Sequence, residues 1–197
     1  MSPSVLFRQF RLKEKRSITI KYQMEATNRE TWKSINGFAN YEISSCGRVR
    51  NAKTERILKP QDNGQGYLRV GIYKNKKRVF RQIHVLSANA FIENPHNKPF
   101  VDHIDGNSQN NCIENLRFAT RAENNRNARK TTSKTSSVYK GVYLNKSSNK
   151  WAAYIDIHGV RTHLGLFKIE REAAEAYNAA AVEYYKEFAR LNTFAED

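Results

Sequence analysis

Apolar residues in this chain come in short runs, each halted by a turn-forming group: Asn36-Gly37, Cys46-Gly47, Asn94-Pro95, Asp105-Gly106-Asn107 and His158-Gly159. Gly, Asn and Asp tolerate the backbone angles of tight turns and Pro stops a helix, so punctuation this dense leaves room only for short elements. The expected outcome is several small, thin cores rather than one large one. A mean hydropathy of −0.77 agrees with that, while 11% aromatic residues are too many for a disordered polar tail.

The pattern between the breaks changes along the chain. Trp32 to Ile83 reads as short strands broken by turns, with Trp32, Ile35, Phe38, Tyr41 and Ile43 as apolar positions. Tyr67 to Tyr73 alternates as a strand does. Val79 to Ile83 pairs back on it, around a hairpin tip at Asn75 that carries Lys74, Lys76, Lys77 and Arg78. His84 to Phe91 has helical spacing. Phe100 to Ile104 and Leu116 to Ala119 are strand candidates, and Thr120 with Glu123 three residues on forms a capping box for a helix through Arg129. The polar run Lys130 to Ser137 has the composition of a linker. Three further strand candidates follow (Tyr139 to Tyr143, Trp151 to Ile157, Thr162 to Phe167). A helix over residues 169–188 then has Ala173, Tyr177, Ala180, Ala181, Tyr184 and Phe188 on one face. Trp151, Leu164 and Phe167 are expected in the core beneath that helix.

Charge narrows the partner. The net charge is +15, and residues 31–100 alone hold 13 Lys/Arg against 4 Asp/Glu. Such a surplus favours a polyanion, of which nucleic acid is the commonest. Only Cys46 and Cys112 are present, far apart and without a CxxC pair, which argues against a zinc finger and fits unpaired thiols in a reducing compartment. No apolar run approaches the length of a membrane span, and residues 1–30, read as a basic segment expected to be disordered, lack an apolar signal core. A soluble, intracellular chain is expected.

The sharpest constellation is Asp102-His103, followed by Asn115 and Asn124. A strand–turn–loop–strand–helix between them would return the ends of the segment to one place. Asp102 and Asn124 could then offer oxygen to one hard cation such as Mg²⁺, and His103 could serve as general base toward a water. Asp105-Gly106-Asn107 reads as turn chemistry, and Asn110, Asn111 and Asn127 as surface or loop groups. His84 is a packing residue or a phosphate contact.

This stretch resembles the HNH nuclease family, with its ββα-metal fold, through His84 opening a helix, Phe91, VDHIDGNSQNN (Val101 to Asn111), IENLRFAT (Ile113 to Thr120) and RAENN (Arg121 to Asn125). The resemblance implies Asp102 and Asn124 as metal ligands for Mg²⁺ or Mn²⁺, without zinc, and His103 as general base. It implies Asn115 as the asparagine that ties the inter-strand loop to the histidine strand. The four-cysteine clamp of some members is missing, so Leu86, Phe91, Ile104, Leu116 and Phe118 are expected to hold the unit by packing.

Two flanking segments resemble DNA-binding units. WKSINGFANYEISSCGRVRN (Trp32 to Asn51) is similar to the NUMOD-type motif, with Arg48, Arg50 and Lys53 projecting from a Gly turn toward phosphates; Lys76, Lys77 and Arg78 of the hairpin join them. Residues 137–192 resemble the plant ethylene-response-factor (AP-two type) domain through YKGVY, KWAAYI, RTHLGLF, EAAEAYNAAA and Asn192. That likeness implies a base-reading sheet face carrying Lys140, Tyr143, Lys150, Tyr154, Arg161 and His163. Tyr143, Asn145 and Asp156 stand where the plant proteins usually have Arg.

The expected fold is thus α+β: a small ββα nuclease core flanked by a short-stranded N-terminal module and a three-stranded antiparallel sheet packed on one helix. The segments are 1–30, 31–81 (NUMOD-type), 82–129 (HNH), 130–136 (linker) and 137–192 (ethylene-response-factor type). The resemblances together imply a metal-dependent homing endonuclease of a phage or other mobile element, monomeric, nicking double-stranded DNA in the host cytoplasm. The competing expectation is a sequence-specific DNA-binding regulator with an inactive nuclease fold.

Overall fold

A computed structural model describes residues 30–130 and 135–194. The basic start up to residue 29 and residues 131–134 of the expected linker lie outside the described residues. The fold is α+β, and every strand pairing within it is antiparallel.

The first sheet is β1 (Trp32–Ile35), β2 (Phe38–Ser44) and β3 (Val49–Asn51), turned at Asn36-Gly37 and Cys46-Gly47. The second is β4 (Gln61–Asp62), β5 (Leu68–Lys74) and β6 (Lys77–Gln82). Its hairpin tip is Asn75-Lys76 alone, at φ 49° and 63°. This is the two-residue turn whose twist matches that of the flanking strands. Lys74 Nζ lies 5.5 Å from the Phe38 ring centre and Arg78 lies 5.0 Å over Phe80, yet all four expected cations, Lys74, Lys76, Lys77 and Arg78, are exposed on this hairpin.

Helix α1 (Ile83–Phe91) follows directly. Ile35, Phe38, Ile43, Val49, Val70 and Ile72 from the two sheets bury against its Ile83 and Leu86 in one cluster. A single core thus crosses the expected boundary at residue 81.

β7 (Phe100–His103) pairs with β8 (Leu116–Ala119), setting Asp102 opposite Arg117 and His103 opposite Leu116. Thr120 opens α2 (Arg121–Asn127) with the expected capping box. Its Oγ1 accepts from the Glu123 amide at 3.2 Å, and Glu123 Oε2 accepts from the Thr120 amide at 2.7 Å. The helix stops at Asn127, short of Arg129. Ile104, expected in the core, is 42% exposed, whereas Leu86 and Leu116 are buried.

The last unit is β9 (Val142–Asn145), β10 (Lys150–Ile157) and β11 (Val160–Phe167), in the order β11-β10-β9, packed on α3 (Glu170–Tyr185). β9 starts later than the sequence suggests because Tyr139 to Gly141 form a turn. Gly141 sits at φ 77°, where an added Cβ would meet the Tyr177 ring at 2.1 Å. Ala153, Ala173 and Ala174 bury with Val142, and Trp151, Leu164 and Phe167 pack against them as expected. Tyr185, not Tyr184, faces the core: its hydroxyl donates to the Asp156 carbonyl at 2.7 Å, and Tyr184 is 44% exposed. Lys186, at φ 50°, ends the helix and leads into a short 3-10 turn (Lys186–Phe188) that buries Phe188.

Candidate active site

β7 ends in two buried polar residues, Asp102 (4% exposed) and His103 (6% exposed). Burying them is costly unless their hydrogen-bonding groups are met, and the surrounding elements meet them. Arg117, across the ladder on β8, donates Nε to Asp102 Oδ2 at 2.8 Å. Its Nη2 lies 2.7 Å from the same oxygen but off the hydrogen-bonding axis, so the pair is a contact to one oxygen and not a two-pronged fork. Asn127, on the inner face of α2, donates Nδ2 to both Asp102 oxygens (3.0 and 3.1 Å) and to the His103 carbonyl (2.8 Å).

The Asn111 side-chain amide is oriented by its Nδ2, which donates to the Gln109 carbonyl at 3.2 Å and so turns Oδ1 toward His103 Nε2 at 3.1 Å. An amide oxygen only accepts, so Nε2 carries the proton and Nδ1 of the neutral ring is the acceptor. The imidazole is flanked by His84 and Tyr67, with ring centres 5.1 and 6.1 Å away. His84 Nδ1 is buried without a hydrogen-bond partner. Burial, and secondarily the charge of His103, pulls the His84 imidazole down to about 4.

Asn115 fixes the turn after β7. Its Oδ1 accepts from the Asp105 amide at 2.9 Å, and its Nδ2 donates to Asp105 Oδ1 and to the Asn110 carbonyl, each at 2.9 Å. Burial works to raise the Asp105 carboxyl. Hydrogen bonds from Asn110, the Asn107 amide and Asn115 outweigh it and hold that carboxyl below the ordinary range. Asp105-Gly106-Asn107 is a turn, as the sequence suggested, with Gly106 at φ 68°.

Asp102, His103, Asn124, Asn127 and Tyr67 line one cleft of about 220 Å³. A larger groove of about 540 Å³ runs between α2 and β10–β11, lined by Arg126, Lys140, Tyr154 and Arg161. It holds none of Asp102, His103 and Asn124, so the chemistry belongs to the smaller cleft. Among the described residues, no three His, Cys, Asp or Glu side chains cluster as a metal cage. The cleft's carboxylate and amide oxygens nevertheless suit a hard cation that keeps waters and substrate oxygens in its shell.

The structure separates the other expected contact residues. Arg48 is paired with Glu30. Arg50 is paired with Glu42 at 2.7 Å and lies 4.3 Å over Trp32, so neither arginine projects freely from its turn as expected. Lys53, Lys76 and Lys77 are exposed. Lys140 is not on the sheet face. Its Nζ donates to the carbonyls of Arg126 (2.5 Å) and Ala128 (2.7 Å) at the end of α2. Tyr143, Tyr154 and His163 instead form a ladder of rings, with centres 5.1 and 4.8 Å apart, and Arg161 lies 4.7 Å over Tyr154. Lys150 is exposed at the start of β10.

Residues 93–126 match the HNH endonuclease family, and residues 30–73 match the NUMOD4 motif. The chain carries an HNH endonuclease domain. Its relatives include an uncharacterized HNH endonuclease of Acanthamoeba polyphaga mimivirus, 45% identical over 43% of this chain and 26% of that protein. DNA endonuclease I-HmuI of Bacillus phage SP01 is 39% identical over 47% of this chain and 54% of its own length. H-N-H endonuclease F-TflII of Escherichia phage T5 is 30% identical over 61% and 63%. The chain thus spans between a quarter and two thirds of the length of these relatives. A solved structure of DNA binding and cleavage by I-HmuI aligns with a TM-score of 0.48 and 28% identity, over 79% of this chain and 91% of that one.

Asn111, Asn127 and Arg117 are the HNH-domain residues that sequence reasoning missed. Asn127 had a signal, since it lies one helical turn beyond Asn124 on a helix whose start the capping box had fixed. Asn111 and Arg117 had none, because a loop amide and a strand arginine look like surface residues until the partner strand is placed.

Proposed function

We propose that this protein is a metal-dependent endonuclease of the homing type that hydrolyses phosphodiester bonds in double-stranded DNA, acting as a monomer and nicking one strand per visit. The observation that carries this reading is the His103 ring. Its Nε2 proton is committed to Asn111, so Nδ1 can accept a proton from a water in the cleft that Asp102 and Asn124 also line. Asp102 and Asn124 would hold the cation, Mg²⁺ or Mn²⁺ by their hard oxygen donors. When bound, the cation supplies charge neutralisation at the scissile phosphate and leaving oxygen. Asn127 and Arg117 hold the Asp102 carboxylate, and Asn115 holds the turn behind His103. The phage and viral origin of the relatives fits a mobile element working in a host cytoplasm.

Residues 31–129 act as one catalytic body bearing the NUMOD-type and HNH motifs, with Lys53, Lys76, Lys77 and Arg78 touching phosphate. Residues 137–192 form a unit of the ethylene-response-factor type, supported by its three-stranded sheet on one helix. Tyr143, Lys150, Tyr154, Arg161 and His163 are its DNA contacts. Arg48, Arg50 and Lys140 are left out because carboxylates or carbonyls already occupy them.

The test is cleavage of a long duplex DNA with Mg²⁺ or Mn²⁺ by wild type and His103→Ala. Discrete metal-dependent cuts, lost in the variant by a factor of about 10² or more, support the reading. DNA binding without cutting by the wild type would move the protein to the inactive-regulator reading.

A further inference from the structure

Cys46 and Cys112 are distant in sequence but meet in space. The Ile113 amide donates to the Ser45 carbonyl at 2.9 Å. On the other side, an added Cβ at Gly47 would lie 2.6 Å from the Asn111 Cβ. Residues 45–47 and 111–113 therefore pass each other in opposite directions, which sets Cys46 beside Cys112. We propose that Cys46 and Cys112 form a paired-thiol site that a small-molecule disulfide oxidises, stapling the β2–β3 turn to the loop that carries Asn111.

The two thiols divide the reaction between them. Cys46 is exposed and Cys112 is half-buried, and burial, followed by the charge and hydrogen bond of Cys46, pushes the Cys112 thiol up. Cys46 is the group a bulky reagent can reach, and Cys112 is placed to resolve what forms there. With oxidised glutathione, the Cys46 thiolate attacks one sulfur of the reagent, forms a mixed disulfide and expels one glutathione thiolate. The Cys112 thiolate then attacks the Cys46 sulfur and expels the second. Two protein thiols and one glutathione disulfide become one protein disulfide and two glutathione thiols, which carry away both protons.

The position of the bond gives it consequence. Asn111, on one side of Cys112, orients His103, and the Cys112 carbonyl accepts from the Asn115 amide at 2.9 Å. The bond would close a long loop of chain containing β3 to β7, and so restrict the unfolded state. The proposal does not depend on the endonuclease reading, because its readout is covalent.

The full chain is incubated with oxidised glutathione, alkylated and mapped by mass without reduction, beside Cys46→Ser and Cys112→Ser. The expected result is a linked peptide pair lighter than the two thiol peptides by two hydrogens, absent from both variants. Cys112→Ser should keep a glutathione adduct on Cys46. The oxidised wild type should also melt several degrees higher, and dithiothreitol should reverse the rise. A stable glutathione adduct on wild-type Cys46 without linked peptides, or disulfides only between chains, would overturn the proposal.

Discussion

The guanidinium of Arg117 holds the Asp102 carboxylate at 2.8 Å through Nε and at the same time lies 3.9 Å over the Phe188 ring. Its Nη1 also donates to the Glu187 carbonyl. One side chain therefore connects a proposed metal ligand to the turn that ends the C-terminal helix. Removing it leaves a buried carboxylate with only an amide partner. Arg117→Met should cost about 3 kcal/mol, read from urea unfolding. A loss under about 1 kcal/mol would mean the pair is as weak as a surface ion pair.

Asn127 donates to both Asp102 oxygens and to the His103 carbonyl, and among the described residues no other side chain grips both. Asn127→Ala should lower metal-dependent cleavage by about 10- to 100-fold, as the loss of a group that orients a ligand does. Asn127→Asp should be worse in both activity and melting temperature, because it sets a second carboxylate against the first. Equal behaviour of the two variants would assign Asn127 to packing alone.

His84 gives the protein an acid sensitivity whose sign is fixed. Burial, with the charge of His103, holds its folded-state value near 4, below the unfolded value of 6.5. Between those values the unfolded chain binds a proton that the folded one does not. The contribution is therefore complete above about pH 6.5 and is lost as pH falls toward about 4, on the order of 3 kcal/mol in all. Unfolding free energies measured across that window should fall steeply for wild type and less steeply for His84→Gln. Parallel curves would place the sensitivity elsewhere.

Gly141 sits where the chain crosses α3. Gly141→Ala would bring a methyl into the Tyr177 ring at a backbone angle that L residues rarely adopt. A loss of about 3 kcal/mol is expected, seen as a lower thermal midpoint. An unchanged midpoint would mean that the ring moves aside freely.

Local chemistry made much of this fold legible beforehand. The Thr120–Glu123 capping box, the turn at His158-Gly159 and the alanine stripe of α3 each follow from a few adjacent residues, and each is where periodicity put it. Long-range pairing was hidden. Nothing near Lys140 announces that its ammonium caps the carbonyls of α2, and nothing near Arg48 points to Glu30. Reading Tyr184 as core missed by one position: Tyr185 takes the place against Asp156 and Tyr184 is exposed. In the candidate site, Asp102, His103, Asn115 and Asn124 could be listed from spacing. Asn127, which orients Asp102, had only its helical spacing from Asn124 to mark it, and Asn111, which orients His103, became visible only once the hydrogen bonds were placed.

The seam between the HNH unit and the C-terminal unit is stitched by cations ending on main-chain oxygen: Lys140 on Arg126 and Ala128, Arg190 on Asp105, and Arg117 on Glu187. Backbone carbonyls are present whatever the residue, so the side that supplies them can drift in sequence while the side that supplies the cation cannot. Recombination that exchanged the C-terminal unit as a cassette would need an incoming piece bearing its own equivalents of Lys140 and Arg190. A graft chosen only for the DNA it recognises would leave the α2 carbonyls uncapped and Arg117 without its seat.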